Sequence, residues 1–157
     1  EIRVGLYRSL LPNYIGMTTP KGTTTIAKMS ALIRRNDMNG ALQMLQAFLA
    51  TVPYCNNTDS EGHYQQMMYV IFSILDNYVD VEVRTPSGRV DMVLRTATHL
   101  YLFELKLNKD AAAAMKQIDL KEYPKRFALC GLPIVKVGVN FDVASHNITD
   151  WKIEAYT

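Results

Sequence analysis

Apolar residues recur at two different spacings, which divide the chain into a helical first part and an extended second part. Over residues 1–52 they recur three and four positions apart, which predicts helices over residues 1–11, 23–35 and 37–52. Thr23 or Thr24 is the expected N-cap of the second helix, and Asp37 that of the third. The segment 19–25 is expected to be a linker, and the turn-forming residues 53–60 to mark a domain boundary.

After this boundary one more helical period covers residues 61–78, and then apolar and polar residues alternate as they do in strands. The predicted strands are 79–85, 89–96, 99–107, 132–141 and 148–157. A helix capped by Asp110 separates the third strand from the fourth. The fourth is expected to be buried on both faces, and the fifth to lie at the sheet edge. The expected fold is therefore α/β with a mixed sheet flanked by helices. A helical segment at 1–58 precedes an αβββαβ domain at 59–157.

Composition narrows the function classes only slightly. The chain has 157 residues, of which 48% are hydrophobic and 20% charged, as in ordinary globular domains. No apolar run approaches the roughly 18 residues that span a bilayer, so no membrane partner is expected. A net charge of +2 is too small to indicate nucleic-acid binding from bulk charge. Cys55 and Cys130 form no metal-ligand cluster, and two reduced thiols are typical of a cytoplasmic protein.

Three charged residues interrupt two strands that otherwise have the character of a sheet interior. If residues 96–99 form a four-residue turn, the antiparallel register sets Asp91 opposite Glu104 and Arg89 opposite Lys106. Lys106 lies two residues from Glu104 and therefore shares its face of the sheet. The turn length alone thus predicts that Asp91, Glu104 and Lys106 converge.

This cluster has the chemistry of a metal site. Two close carboxylates repel each other, and a divalent cation with oxygen ligands, Mg²⁺ or Mn²⁺, removes that penalty. Lys106 can hold a water molecule or neutralise charge on a phosphate. The alternative is an ion pair between Asp91 and Lys106 with Glu104 exposed at an edge, although burying three charges for stability alone gains little.

The arrangement resembles the PD-(D/E)XK nuclease superfamily, whose fold is restriction-endonuclease-like. Val90-Asp91 stands at the place of the P-D pair, and Glu104-Leu105-Lys106 follows after twelve residues as the E-x-K element. The αβββαβ order of the second domain strengthens the resemblance. It implies that Asp91, Glu104 and the Leu105 carbonyl bind the metal, and that Lys106 positions the attacking water.

More narrowly, the chain resembles a bacterial branch in which the nuclease domain follows an AAA-ATPase-like domain, here expected upstream of residue 1 with residues 1–58 as its tail or connector. This branch implies site roles for Glu61, on the first helix of the domain, and for Gln117, on the helix after the E-x-K strand. Positive or aromatic residues near the site are candidates for contacts with nucleic acid: Arg89, Lys116, Lys121 and Tyr123.

Three functions stay open at this point. The first is a metal-dependent phosphodiesterase acting on DNA through metal-activated water. The second is a nucleic-acid-binding or protein-interaction module that keeps the fold but cuts nothing. The third is an ion-paired sheet of unrelated function, which requires Asp91 and Glu104 to lie far apart.

Overall fold

A five-stranded sheet lies between helices in the computed structural model. The structure describes residues 20–51, 71, 74–76, 78–84, 90–107, 110–120, 130–142 and 144–156. The helices with defined bounds are α1 (Pro20–Arg34), α2 (Met38–Leu49) and α3 (Ala111–Leu120). The strands are β1 (Asp80–Arg84), β2 (Val90–Arg95), β3 (Leu100–Leu107), β4 (Ile134–Asp142) and β5 (Asn147–Ala155).

The sheet has the strand order β1-β2-β3-β4-β5. Neighbouring strands are antiparallel except β3 and β4, which are parallel because α3 connects them as a crossover. This mixed α+β architecture confirms the predicted fold class. It also confirms that β4 is buried on both faces and that β5 is an edge strand.

The β2–β3 register follows from a short turn built around Thr96. Its hydroxyl oxygen accepts hydrogen bonds from the backbone N–H groups of Thr98 (3.3 Å) and His99 (3.0 Å). Its own N–H donates to the His99 carbonyl at 2.9 Å. Arg95 is therefore paired with Leu100, as the four-residue turn predicts. Every pair further along the hairpin is fixed by that first one.

The two faces of the sheet pack against different helices. Apolar residues of one face, including Tyr101 and Phe103 on β3, form one buried cluster with α1 and α2. The helices contribute residues three and four apart, among them Ile26, Met29 and Ile33 of α1. On the other face, Leu100 and Leu102 pack with Met115, Ile118 and Ile134 under α3.

The turn between α1 and α2 is tied to the sheet by a buried tyrosine. The Tyr101 hydroxyl donates to the side-chain oxygen of Asn36, a residue with a positive φ of 60°. Burial of Tyr101 raises its pKa from 10.0 to about 12. Asp37 then caps α2 through a 2.9 Å hydrogen bond from Gly40 N–H, which confirms the predicted cap.

The prediction for the start of α1 is wrong. The helix already includes Pro20, so Thr23 and Thr24 lie inside its first turns, and residues 20–25 of the predicted linker are helical. Proline suits the first helical position because its φ is already helical and its missing N–H needs no partner there. That preference outweighs the capping tendency of the threonines.

Two predicted elements fall outside the described residues: the helix 1–11 and the turn 53–60. Of the predicted helix 61–78, the described residues Ile71, Ile74 and Leu75 are helical, and Ile71 and Leu75 are fully buried. Within the part of the chain that the structure describes, no helix has the length and apolar character needed to cross a membrane.

Candidate active site

A single row of residues crosses the sheet at the predicted site. Asp91 of β2 is paired with Glu104 of β3, and Glu104 is paired with Gly138 of β4. Directly paired residues lie about 5 Å apart at Cβ and share one face of the sheet. The structure describes the backbone of Asp91 and not its side chain. The predicted pairing of Asp91 with Glu104 is therefore present in the backbone register.

Glu104 is a carboxylate in the sheet interior. Its side chain has 0% exposure, and its Oε1 atom lies 3.3 Å from Nζ of Lys106, whose side chain is 17% exposed. Glu104 and Lys106 are two residues apart on one strand, so both side chains lie on the face of the sheet that α3 covers, called here the α3 face. Removing a carboxylate from water costs several kcal/mol unless a cation or hydrogen bonds replace the lost solvation. Lys106 places an opposite charge 3.3 Å from Oε1 but donates no hydrogen bond to that atom.

Gly138 lets α3 lie directly on the sheet beside Glu104. A Cβ atom at this position would lie 2.8 Å from the Ala111 carbonyl oxygen and 2.9 Å from the Met115 backbone nitrogen. A side chain would therefore push the backbone of α3 away. The small residues of the first α3 turn and Gly138 together allow the helix to lie close to the sheet.

The other described candidates surround this row. Leu105 is buried, and its side chain packs in the α1–α2 cluster on the opposite face. Gln117 is half-buried on α3. Asp119, two residues further along α3, accepts a hydrogen bond from Lys136 of β4. Two residues correspond to a rotation of about 200° around the helix, so Gln117 lies on the flank of α3 away from that contact. Lys116 is exposed on the same helix.

Comparison with known proteins identifies the family of the chain. Residues 59–151, more than half of the chain, match the sequence model of the PD-(D/E)XK nuclease superfamily. The chain belongs to this superfamily. Its motif residues Asp91, Glu104 and Lys106 all lie within the matched range.

A curated relative matches along almost the whole chain. It is the "Uncharacterized protein in vnfD 5'region" of Azotobacter chroococcum mcd 1, which is 30% identical over 162 residues. The match covers 99% of this chain and 31% of the relative, so the chain spans about a third of the length of that protein. No solved structure matches the chain.

Four predicted site residues of this PD-(D/E)XK chain lie outside the described residues: Glu61, Arg89, Lys121 and Tyr123. Among the residues whose side chains are described, no group of three or more His, Cys, Asp and Glu side chains could hold a metal ion. The Asp91 carboxylate is not among those side chains. Carboxylate and backbone carbonyl oxygens, the ligand types that the motif residues carry, are the hard oxygen ligands that Mg²⁺ and Mn²⁺ prefer.

Two polar residues of β4 in this nuclease fold were not predicted. Asn140 is 5% exposed, is paired with Lys106, and donates from Nδ2 to the Thr149 hydroxyl at 3.2 Å. The Nζ atom of Lys136 donates a hydrogen bond to Oδ1 of Asp119 at 2.9 Å and lies 3.5 Å from Oε2 of Glu154. Burial by itself lowers the pKa of Lys136, but the hydrogen bonds and charges of Asp119 and Glu154 prevail and raise it. Both residues lie in a continuous apolar run, so the sequence does not indicate their polar contacts. The position of Asn140 beside Lys106 follows only from the β3–β4 register.

Proposed function

We propose that the chain is a metal-dependent phosphodiesterase that hydrolyses nucleic acid, with DNA as its substrate. One observation carries this proposal. A fully buried Glu104 lies 3.3 Å from Lys106, and its register partner is a second acidic residue, Asp91, in a chain of the PD-(D/E)XK superfamily. An arrangement built for stability alone would gain little from burying these charges.

In this proposal Asp91, Glu104 and the Leu105 carbonyl hold Mg²⁺ or Mn²⁺. The divalent cation, when bound, supplies Lewis-acid chemistry: it favours deprotonation of water and offsets charge on a phosphate oxygen. Lys106 is a hydrogen-bond donor only, and so it orients the attacking water or stabilises negative charge that develops on the scissile phosphate. Its partial exposure supports this role, because substrate can approach Nζ from solvent.

The remaining candidates extend the site toward the substrate. The position of Gln117, on the α3 flank away from the Lys136–Asp119 contact, supports a role at the side of α3 nearer β2 and β3. Glu61 is proposed to act there from the first helix of the domain. Contacts with the phosphate backbone are assigned to four residues, of which Lys116 is an exposed cation on α3: Arg89, Lys116, Lys121 and Tyr123.

The chain is also proposed to work next to an ATPase-like domain in a longer protein. The curated relative supports this arrangement only in length, since the match covers 31% of it and leaves sequence for further domains. Residues 1–58 are proposed to connect the two parts.

The test is cleavage of end-labelled duplex and single-stranded DNA, and of RNA, with Mg²⁺, with Mn²⁺ and with EDTA. We expect Mn²⁺-dependent cleavage by the wild type and a loss of at least about 100-fold in Asp91→Asn and Lys106→Met. Lys28→Met is the matched control, since Lys28 is exposed on α1. Full cleavage by either site variant would refute the mechanism, and cleavage of RNA in preference to DNA would refute the proposed substrate.

The second candidate is a module that binds nucleic acid or protein and cuts nothing. The Glu104–Lys106 ion pair favours it, because this pair places an opposite charge beside the buried carboxylate without a metal. Calorimetric titration with Mn²⁺ separates the two functions. Binding by the wild type that is lost in Glu104→Gln supports the nuclease, whereas no binding by the wild type supports the module.

A further inference from the structure

Two residues along the strands from the Asp91–Glu104 row, a second row contains another set of polar residues. Lys106 of β3 is paired with Asn140 of β4, and Asn140 with Asp150 of β5. Asn140 is 5% exposed in a strand whose other residues on both sides are mostly apolar and buried. Burying a carboxamide is unfavourable unless its hydrogen bonds are replaced, so this residue needs a physical reason.

The Asn140 side chain is held from the β5 side. Its Nδ2 donates to the Thr149 hydroxyl at 3.2 Å. The nitrogen and oxygen of a carboxamide point in different directions. In the sheet, Asn140 lies between β3 and β5, so Lys106 is its register neighbour on the side away from Thr149. Oδ1 is an acceptor, and an ammonium group or the water that it binds can donate to it.

Two local features of the fold set up this arrangement. The β4–β5 register shifts between Asn140 and Phe141, so Thr149 is an extra residue on β5 that faces no partner of its own. Such bulges re-aim side chains and are common next to active sites. One residue on, Asp150 accepts a 3.0 Å hydrogen bond from Ala111 N–H through Oδ2, which fixes β5 to the start of α3.

We propose that Asn140 is a positioning residue for Lys106, and that Thr149 in turn orients Asn140. The carboxamide confines the Lys106 ammonium to the place where it meets both Glu104 and the substrate. Without it, the flexible lysine side chain, which is already 17% exposed, populates rotamers directed into solvent. The proposal rests on the proposed nuclease function for its kinetic part, and on the coordinates of Lys106 for its structural part.

The kinetic experiment measures single-turnover cleavage with Mn²⁺ in Asn140→Leu, Thr149→Val and Thr149→Ser. Residues that orient a reactive side chain typically contribute about 10–100-fold, so we expect a loss of this size in the rate constant of Asn140→Leu. Thr149→Val should lose rate in the same direction, and Thr149→Ser, which keeps the hydroxyl, should recover it. The half-saturating DNA concentration and the Mn²⁺ dissociation constant should change by less than about twofold.

A double variant shows whether Asn140 acts through Lys106. In a Lys106→Met background, Asn140→Leu should cause no further loss, because the group that it positions is gone. Asn147→Leu is the matched control. Asn147 donates to the Gln46 carbonyl at 3.0 Å, on the α2 side of the molecule, so this change removes a half-buried amide contact away from Lys106.

The structural experiment is a crystal structure of wild type and of Asn140→Leu. We expect Lys106 Nζ to move from 3.3 Å to beyond about 4 Å from Glu104 Oε1 in the variant. An unchanged Lys106 overturns the inference, and so does an additive loss in the double variant. If wild type cleaves no nucleic acid, the proposed function fails, and the position of Lys106 in the variant crystal still decides this inference.

Discussion

Replacing Lys106 by methionine should destabilise the protein far more than replacing Glu104 by glutamine. The two side chains form one ion pair, but they are buried unequally: Glu104 is 0% exposed and Lys106 is 17% exposed. Lys106→Met leaves a charged carboxylate without this cation in the interior. Glu104→Gln leaves an ammonium group that can turn to water.

The magnitude follows from the distance and the burial. At 3.3 Å and an effective dielectric constant of about 20, the attraction between the two charges is about 5 kcal/mol. Partial exposure of Lys106 reduces this value, and removing one partner of a buried pair typically costs about 3–5 kcal/mol. We therefore expect Lys106→Met to lose about 3 kcal/mol of unfolding free energy and Glu104→Gln about 1 kcal/mol. The larger loss is a sizeable part of the total stability of a small domain.

The assay is urea unfolding at pH 7, monitored by the fluorescence of Trp151 and by circular dichroism, with EDTA present. The set is wild type, both single variants, the double variant and the exposed control Lys28→Met. The double variant should be more stable than Lys106→Met, because it removes the buried charge together with its partner. Mn²⁺ at about 100 times its dissociation constant should then add about 2.7 kcal/mol to the stability of a binding-competent protein.

Mn²⁺ should stabilise Lys106→Met at a lower concentration than wild type, because no ammonium group competes with the cation for Glu104. It should leave the stability of Glu104→Gln unchanged. Equal losses in the two single variants would refute the argument from unequal burial. A larger loss in Glu104→Gln would do the same.

Three further changes test other parts of the structure. Gly138→Ala should cost about 1–3 kcal/mol of unfolding free energy, because the added Cβ meets the Ala111 carbonyl and must displace α3; a neutral effect in thermal unfolding would contradict the close packing. The raised pKa of Lys136 means that its pair with Asp119 stabilises the fold below pH about 10.5. The stability margin over Lys136→Met should therefore be constant from pH 6 to about 9 and shrink above about 10.5, and a margin that grows there would contradict the assignment. Tyr101, with a pKa of about 12, stays protonated in the folded protein while the unfolded chain ionises near 10, so wild type should lose more stability than Tyr101→Phe between pH 10 and 12 in urea titrations.

The hairpin of the site was predictable because local rules determine it. Alternation of apolar residues identified β2 and β3, and a four-residue turn fixed which residues face each other. The pairing of Asp91 with Glu104 therefore required no knowledge of the rest of the fold. The cap of α2 at Asp37 was predictable for the same reason, since one side chain and one backbone N–H a few residues on decide it.

The features that escaped prediction depend on contacts between distant parts of the chain. Nothing near Asn140 in the sequence indicates the register between β3 and β4 that pairs it with Lys106. The bulge at Thr149 breaks the simple alternation of β5, and it is visible only from the pairing of both strands. The prediction for the start of α1 failed for a local reason. Proline at a helix start competes with threonine caps, and no packing information decides between them.

The division of β3 between two faces has a consequence for how the site keeps its geometry. Tyr101, Phe103 and Leu105 enter the cluster with α1 and α2, while Glu104 and Lys106 alternate with them on the α3 face. A slip of one residue would turn both charges toward the apolar residues of α1 and α2 and the aromatic rings toward the close-packed α3, so misregistered chains are penalised on both faces during folding. The alignment of the charged site residues therefore depends on hydrophobic packing on the opposite face of the sheet. Substitutions at the charged positions can consequently change the chemistry while the aligning contacts stay intact.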